Sequence, residues 1–224
     1  MDYDTAGLYI HIPFCKSKCS YCDFFSLSQK ENLIEDYINA LCKEISWKIK
    51  IYSLKIDTVF IGGGTPSIIP LELLKKLSDH IFSLISPKEF TIEANPDDIS
   101  ESFLKTCIRS NISRISLGIQ SLCEKSLNTC HRHSDSKTCL NSLTLIKELW
   151  ESSERTFSLD LISGLPYETE ETFLQIAGRN FGETFGKINK ILRQINVADV
   201  LKSFNLFNHA LSYERVAMPA VNYR

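Results

Sequence analysis

Three cysteines stand close together near the start of this sequence, at Cys15, Cys19 and Cys22 within HIPFCKSKCSYCDF. Thiolates are soft ligands that suit zinc and iron–sulfur clusters. Structural zinc takes four ligands around one ion. A C-x3-C-x2-C trio supplies three, so zinc would need a distant fourth ligand such as Cys130 or His133. Three thiolates suit an iron–sulfur cluster instead, whose irons are bound by cysteine sulfur. On a four-iron cluster they leave one iron open to a ligand that is not protein. An odd number is also wrong for a self-contained disulfide framework.

The elements around the loop decide what it faces. Short runs rich in branched and aromatic residues predict strands over residues 7–13, 57–63, 89–95, 114–120 and 157–163. Between them Ile34, Tyr37, Ile38, Leu41 and Ile45 form one helical stripe, and Leu73, Leu74, Leu77, Ile81 and Leu84 another. Residues 103–108 and 140–150 read similarly. Pro70 and Asp97 or Asp98 stand where helix starts are expected. Regular alternation of strand and helix implies parallel βα units, either closed into a barrel or laid out as a doubly wound sheet. The cysteine loop follows the first strand, at the strand edge where ligands bind in such folds.

Side-chain alternation separates the two architectures. Strands covered by helices on both faces should be apolar on both. Here Leu8, Ile10 and Ile12, Val59 and Ile61, Phe90, Ile92 and Ala94, Ile115, Leu117 and Ile119, and Phe157, Leu159 and Leu161 share one side. The other side carries Tyr9 and His11, Thr58, Glu93 and Asn95, Ser116, Gly118 and Gln120, and Ser158 and Asp160. An intact eight-stranded barrel fills its lumen with branched apolar side chains. A smaller, open barrel leaves room for a polar cofactor. The expected fold is α/β, a partial (β/α) TIM-like barrel of about five recognisable strands.

Bulk properties narrow the function classes. Among 224 residues, 25 Lys and Arg face 27 Asp and Glu, so no basic surface speaks for nucleic acid. No apolar run approaches the roughly 18 residues of a membrane span. MDYDTAGLYI carries acids rather than a basic n-region and does not read as a secretory signal. Eight cysteines then read as reduced thiols or ligands, and the expected compartment is the cytoplasm. Cys42, Cys107 and Cys139 fall in helical stretches and read as small buried side chains. His11, His131 and His133 read as supporting or surface residues. Gly62-Gly63-Gly64-Thr65 closes the second strand, where missing side chains admit a close backbone approach.

Taken together, LYIHIPFCKSKCSYCDF, VFIGGGTPS, IEANP, RISLGIQS and DLISGLP, in that order, resemble the HemN/HemW family of radical S-adenosylmethionine (SAM) proteins. The family includes oxygen-independent coproporphyrinogen III dehydrogenases and heme chaperones. The resemblance implies a [4Fe-4S] cluster on Cys15, Cys19 and Cys22 whose open iron chelates SAM, and an electron donor that lets the cluster cleave the sulfonium. It also implies SAM contacts from Tyr9, Tyr21, Gly63, Gly64, Thr65, Glu93, Gln120 and Asp160, with Arg132 suited to the methionine carboxylate. Heme or a porphyrin is the implied cargo or substrate.

Two departures shape the functional expectation. The dehydrogenase branch has a further cysteine where Phe24 stands, so the sequence is more similar to the heme chaperones. Where relatives read leucine-glycine-arginine, this chain has Cys130-His131-Arg132, which questions the local turn. The core is expected over residues 1–173. Residues 174–224 read as a diverged or truncated tail with one amphipathic stretch at Ile188, Ile191, Leu192 and Ile195, while His209 and Tyr213 echo a sixth strand by chance. That tail leaves the porphyrin surface incomplete, so SAM binding, heme binding that is weak or absent, and no coproporphyrinogen turnover are expected. The alternatives are a coproporphyrinogen III dehydrogenase and a non-catalytic, cluster-bearing scaffold.

Overall fold

A computed structural model of the chain describes residues 5–28, 30–53 and 55–169. The tail expectations, including the stretch around Ile188 and the His209 and Tyr213 echo, lie outside the described residues. Five long strands alternate with helices: β1 (Ala6–Ile12), α1 (Ile34–Tyr52), β4 (Ile56–Gly63), α2 (Leu71–Leu84), β5 (Glu89–Ala94), α3 (Glu101–Arg109), β6 (Arg114–Gln120), α4 (Glu124–Thr129), α5 (Ser136–Leu145) and β7 (Thr156–Leu161). Two short strands, β2 (Phe14–Cys15) and β3 (Leu27–Ser28), lie between β1 and α1 and pair with each other in parallel.

The long strands form one parallel sheet in the order β1-β4-β5-β6-β7. Each strand lies beside its predecessor, and the order never reverses. A doubly wound sheet reverses at a switch point, whereas a barrel wall grows in one direction. The expected α/β barrel segment is therefore present, and among the described residues it remains an open five-stranded wall.

The one-sided alternation explains the packing. Ile10, Ile12, Val59, Ile61, Phe90, Ile92, Ile115, Leu117 and Ile119 are buried, and they join Ile38, Leu74, Leu77, Ile81, Phe103 and Leu104 from the helices in a single core. Burying each such side chain contributes roughly 1.5–3 kcal/mol. At the β7 edge, Phe157, Leu159 and Leu161 are only partly covered. Cys42, Cys107 and Cys139 lie inside this core, as their helical positions imply.

Two helix boundaries differ from expectation. Asp97 and Asp98 belong to a short 3-10 turn, Pro96–Asp98, and α3 starts later, where Ser100 caps the Phe103 N–H at 3.2 Å. The two acids are used instead in side-chain contacts to other elements: Asp98 binds Lys16 and Ser67, and Asp97 accepts from Ser134. The stretch read as a helix over 140–150 changes pitch within itself. α5 ends at Leu145 and a π-helical turn, Ile146–Trp150, brings Ile146 and Trp150 into the core. The Trp150 Nε1–H finds the Thr156 carbonyl at 2.8 Å, so burial of the indole leaves no donor unpaired.

Candidate cluster and cofactor site

The cysteine loop is held from three directions. Phe14 and Cys15 pair with Leu27 and Ser28. From β4, Gly64 N–H donates to the Ile12 carbonyl at 2.7 Å and Thr65 N–H to the Phe14 carbonyl at 2.7 Å. From the end of α4, the Cys130 carbonyl accepts the Ser20 N–H at 3.1 Å, and Cys22 N–H turns back to Cys19 at 3.1 Å. The glycines are explained by this approach. A Cβ on Gly64 would stand 2.6 Å from the Phe14 carbonyl and 3.0 Å from Cys15 Sγ. Gly63 has φ 119°, a conformation that penalises any side chain.

Cys15, Cys19 and Cys22 line one cleft, together with Tyr21, Gly64, Thr65, Asn95, Asp97, Arg132 and His133. Lys16 and Lys18 also border it. The Thr65 hydroxyl donates to Cys15 Sγ at 3.3 Å, and Arg132 Nη1 reaches Cys19 Sγ at 3.8 Å. Arg132 Nη2 donates to the Gly118 carbonyl at 2.6 Å and to Asn95 Oδ1 at 3.3 Å. Its Nε is buried with no partner. Burial works against the charge of Arg132, but the Tyr21 phenol and Cys19 beside it more than compensate, and the guanidinium is held more firmly protonated. Burial pushes the Tyr21 phenol up in turn, with Arg132 opposing and Cys19 adding to the rise.

These features suit a cluster. Among the described residues no three His, Cys, Asp or Glu side chains close around a point as ligands of one ion. A cluster takes each thiolate on a different iron, so it asks for no such convergence. A cleft that joins three thiols to hydrogen-bond donors, two lysines and an unpartnered guanidinium nitrogen suits a negatively charged guest.

The remaining expected residues lie on the polar face of the sheet. Glu93 accepts the Gly63 N–H at 3.0 Å, and its register partner on β6 is Ser116. Ser116 donates to Asp160 at 3.2 Å and shares a hydrogen bond with Ser158 at 3.1 Å. Burial pushes the Glu93 carboxyl up to about 7, against the Gly63 N–H and with help from the charge of Asp160. Asp160 is raised as well, by crowding from protein that its bond from Ser116 only partly offsets. Tyr9 is exposed on this face, its hydroxyl 3.2 Å from His11 Nδ1. Because His11 Nε2 must donate to the Phe25 carbonyl at 3.1 Å, Nδ1 is the acceptor for Tyr9. Gln120 ends β6 with φ 65°, a left-handed conformation for a residue with a side chain.

So the structure gathers Cys15, Cys19, Cys22, Tyr21, Gly64, Thr65 and Arg132 in the cleft. Gly63, Glu93 and Asp160 belong to a connected acidic patch, with Tyr9 and Gln120 elsewhere on the lumen side. The turn questioned by His131 is made: His131 takes φ 53°, where a glycine would be free, and Arg132 N–H closes on the Leu127 carbonyl at 2.9 Å. Asn95 was legible as a polar-face residue, but its central place was missed, because its partners are 30 and 37 positions away.

Comparison with known proteins agrees with this geometry. The profile described as Radical SAM superfamily matches residues 9–179. The heme chaperone HemW of Bacillus subtilis is 38% identical over 166 residues, covering 72% of this chain and 43% of the relative. HemW of Haemophilus influenzae is 38% identical over 177 residues, covering 75% and 45%. The chain thus spans less than half the length of these relatives. Among solved structures, coproporphyrinogen III oxidase (HemN) from Escherichia coli, a radical SAM enzyme, superposes with a TM-score of 0.68 at 24% identity, over 78% of this chain and 42% of its own. That likeness speaks to the fold. With the profile matching well over half of its residues, this chain belongs to the radical SAM superfamily.

Proposed function

We propose that the chain binds a [4Fe-4S] cluster through Cys15, Cys19 and Cys22 and SAM across the adjoining strand ends, and that it serves heme or porphyrin handling in the manner of HemW. One observation carries the reading: three cysteine sulfurs line a single cleft in which Thr65 and Arg132 already donate to two of them. When bound, the cluster and SAM supply reductive cleavage of a sulfonium. The protein holds and orients them. Arg132, buried and charged, meets a carboxylate. Glu93 and Asp160 present acceptors to ribose hydroxyls, and Glu93, poised near neutrality, can hold a proton there. Gly63 and Gly64 keep the β4 turn low. Heme as cargo is supported by the HemW relatives. A reducing, cytoplasmic compartment goes with eight cysteines that are all unpaired. An electron donor completes the reading, and residues 1–173 would form the radical SAM core.

Anaerobic reconstitution should give about four irons and matching sulfide per chain. Adding SAM and dithionite should then release 5′-deoxyadenosine, and hemin titration should show weak binding at most. Stoichiometric zinc in place of iron would sink the cluster assignment. Decarboxylation of coproporphyrinogen III by this chain would move the reading to the oxidase.

A further inference from the structure

We infer that Asn95 is a positioning residue that directs the Thr65 hydroxyl onto Cys15 and holds the Arg132 guanidinium that donates to Cys19, and thereby tunes the reduction potential of the cluster. The inference rests on the cluster reading given above and deepens it.

Asn95 follows β5 and stands between the two side chains that touch sulfur. Its amide has one accepting end and one donating end, and the neighbours decide which faces which. A guanidinium only donates. Arg132 Nη2, 3.3 Å away, therefore faces the Asn95 oxygen. The amide nitrogen is left facing Thr65 Oγ1, also at 3.3 Å, and donates to it. With that lone pair engaged, the Thr65 hydroxyl hydrogen is directed onward to Cys15 Sγ at 3.3 Å. The same guanidinium donates through Nη1 to Cys19 Sγ at 3.8 Å. One directed line thus runs from Arg132 through Asn95 and Thr65 to Cys15, with a branch from Arg132 to Cys19.

The Asn95 backbone is pinned as well. Its N–H donates to Ser67 Oγ at 3.1 Å, and Ser67 donates to Asp98 at 2.7 Å. Asp98 holds Lys16 of the cysteine loop at 2.5 Å. In a partly buried network each bond polarises the next. Donors aimed at cluster sulfur favour the more negative, reduced state and so raise the potential.

Aspartate at position 95 would accept at both ends. It would draw the Thr65 hydrogen away from Cys15 and add negative charge near the cluster. Leucine would remove both bonds without adding charge. The test compares the wild type with Thr65→Ser, Thr65→Val, Asn95→Leu, Asn95→Asp and the double variant Thr65→Val/Asn95→Leu. All are reconstituted anaerobically, assayed for iron and sulfide, and titrated with EPR detection of the reduced cluster. Thr65→Ser should keep the wild-type midpoint, Thr65→Val and Asn95→Leu should shift it lower, and Asn95→Asp lowest. The double variant should shift by less than the sum of its parts, because the two residues act on one line. Unshifted single variants, or strictly additive shifts, would overturn the inference. If the wild type fails to take up a cluster, the proposed function fails first and visibly. If an Asn95 variant does not fold, equal midpoints for Thr65→Val and Thr65→Ser still overturn it, since the line would then end on nothing.

Discussion

The two halves of the site have opposite electrical character. The cleft gathers mostly donors and cations: Arg132, Lys16, Lys18, the Thr65 hydroxyl and the Asn95 amide, with Asp97 as the acid on its lining. The lumen face gathers acids: Glu93 accepts one backbone N–H, and Asp160 accepts from Ser116 with the Arg114 charge nearby. On the lumen face burial raises the cost of both carboxylates, by more than the Gly63 N–H, the Ser116 hydroxyl and the nearby Arg114 charge offset. One sheet edge is thus polarised along its own length. On the proposed reading this matches a guest with a carboxylate at one end and hydroxyls at the other.

The largest way to break the comparison is to remove the thiols at the centre of the cleft. Changing Cys15, Cys19 and Cys22 together to Ala should abolish iron uptake while circular dichroism shows the fold retained. Next is the cationic centre. Arg132→Met strands the Gly118 carbonyl and Asn95, and should cost about 3 kcal/mol in urea unfolding of the apo chain. Arg132→Lys should recover only part of that, because an ammonium lacks the planar fork.

The acidic half responds to pH instead. The Glu93 carboxyl is raised to about 7 from an ordinary value of 4.5. Between those values the folded chain keeps a proton that the unfolded chain has released. Stability therefore falls as pH rises through this window, by roughly 3 kcal/mol. Glu93→Gln should flatten that decline, gaining stability at pH 8 and none at pH 4, as read from urea midpoints across the range. The smallest effect belongs to the turn that delivers Arg132. His131→Gly should stabilise the apo chain by about 0.5–1 kcal/mol by relieving a left-handed conformation, net of the added freedom of the unfolded chain. An unchanged melting temperature would show the strain to be negligible.

Much of this was legible because burial on one side leaves a period-two pattern. β4, β5, β6 and their apolar faces follow directly from it, and the cysteine spacing marked the loop. The rest lacked a local signature. α4 has six residues, too few for helical periodicity to show. β2 and β3 are two-residue strands paired only across the loop. Asp97 and Asp98 resemble helix starters by type, yet α3 is capped by Ser100, and the acids were committed to other elements. Asn95 carries no motif of its own role, because hydrogen bonds across distant segments are not periodic in sequence.

The strand order of the sheet also bears on how the molecule is made. Each long strand pairs with the one synthesised before it, so a nascent chain can extend its sheet one βα unit at a time. The thiolates leave the ribosome first, but their holders come later. Gly64 and Thr65 arrive with the end of β4, Asn95 after β5, and Arg132 only after β6. Until that arginine is out, the loop lacks both its Ser20 tether to Cys130 and its donor on Cys19. Metal delivered earlier would meet a loose peptide, so on the proposed reading the order of synthesis makes cluster insertion a late step in the maturation of this domain.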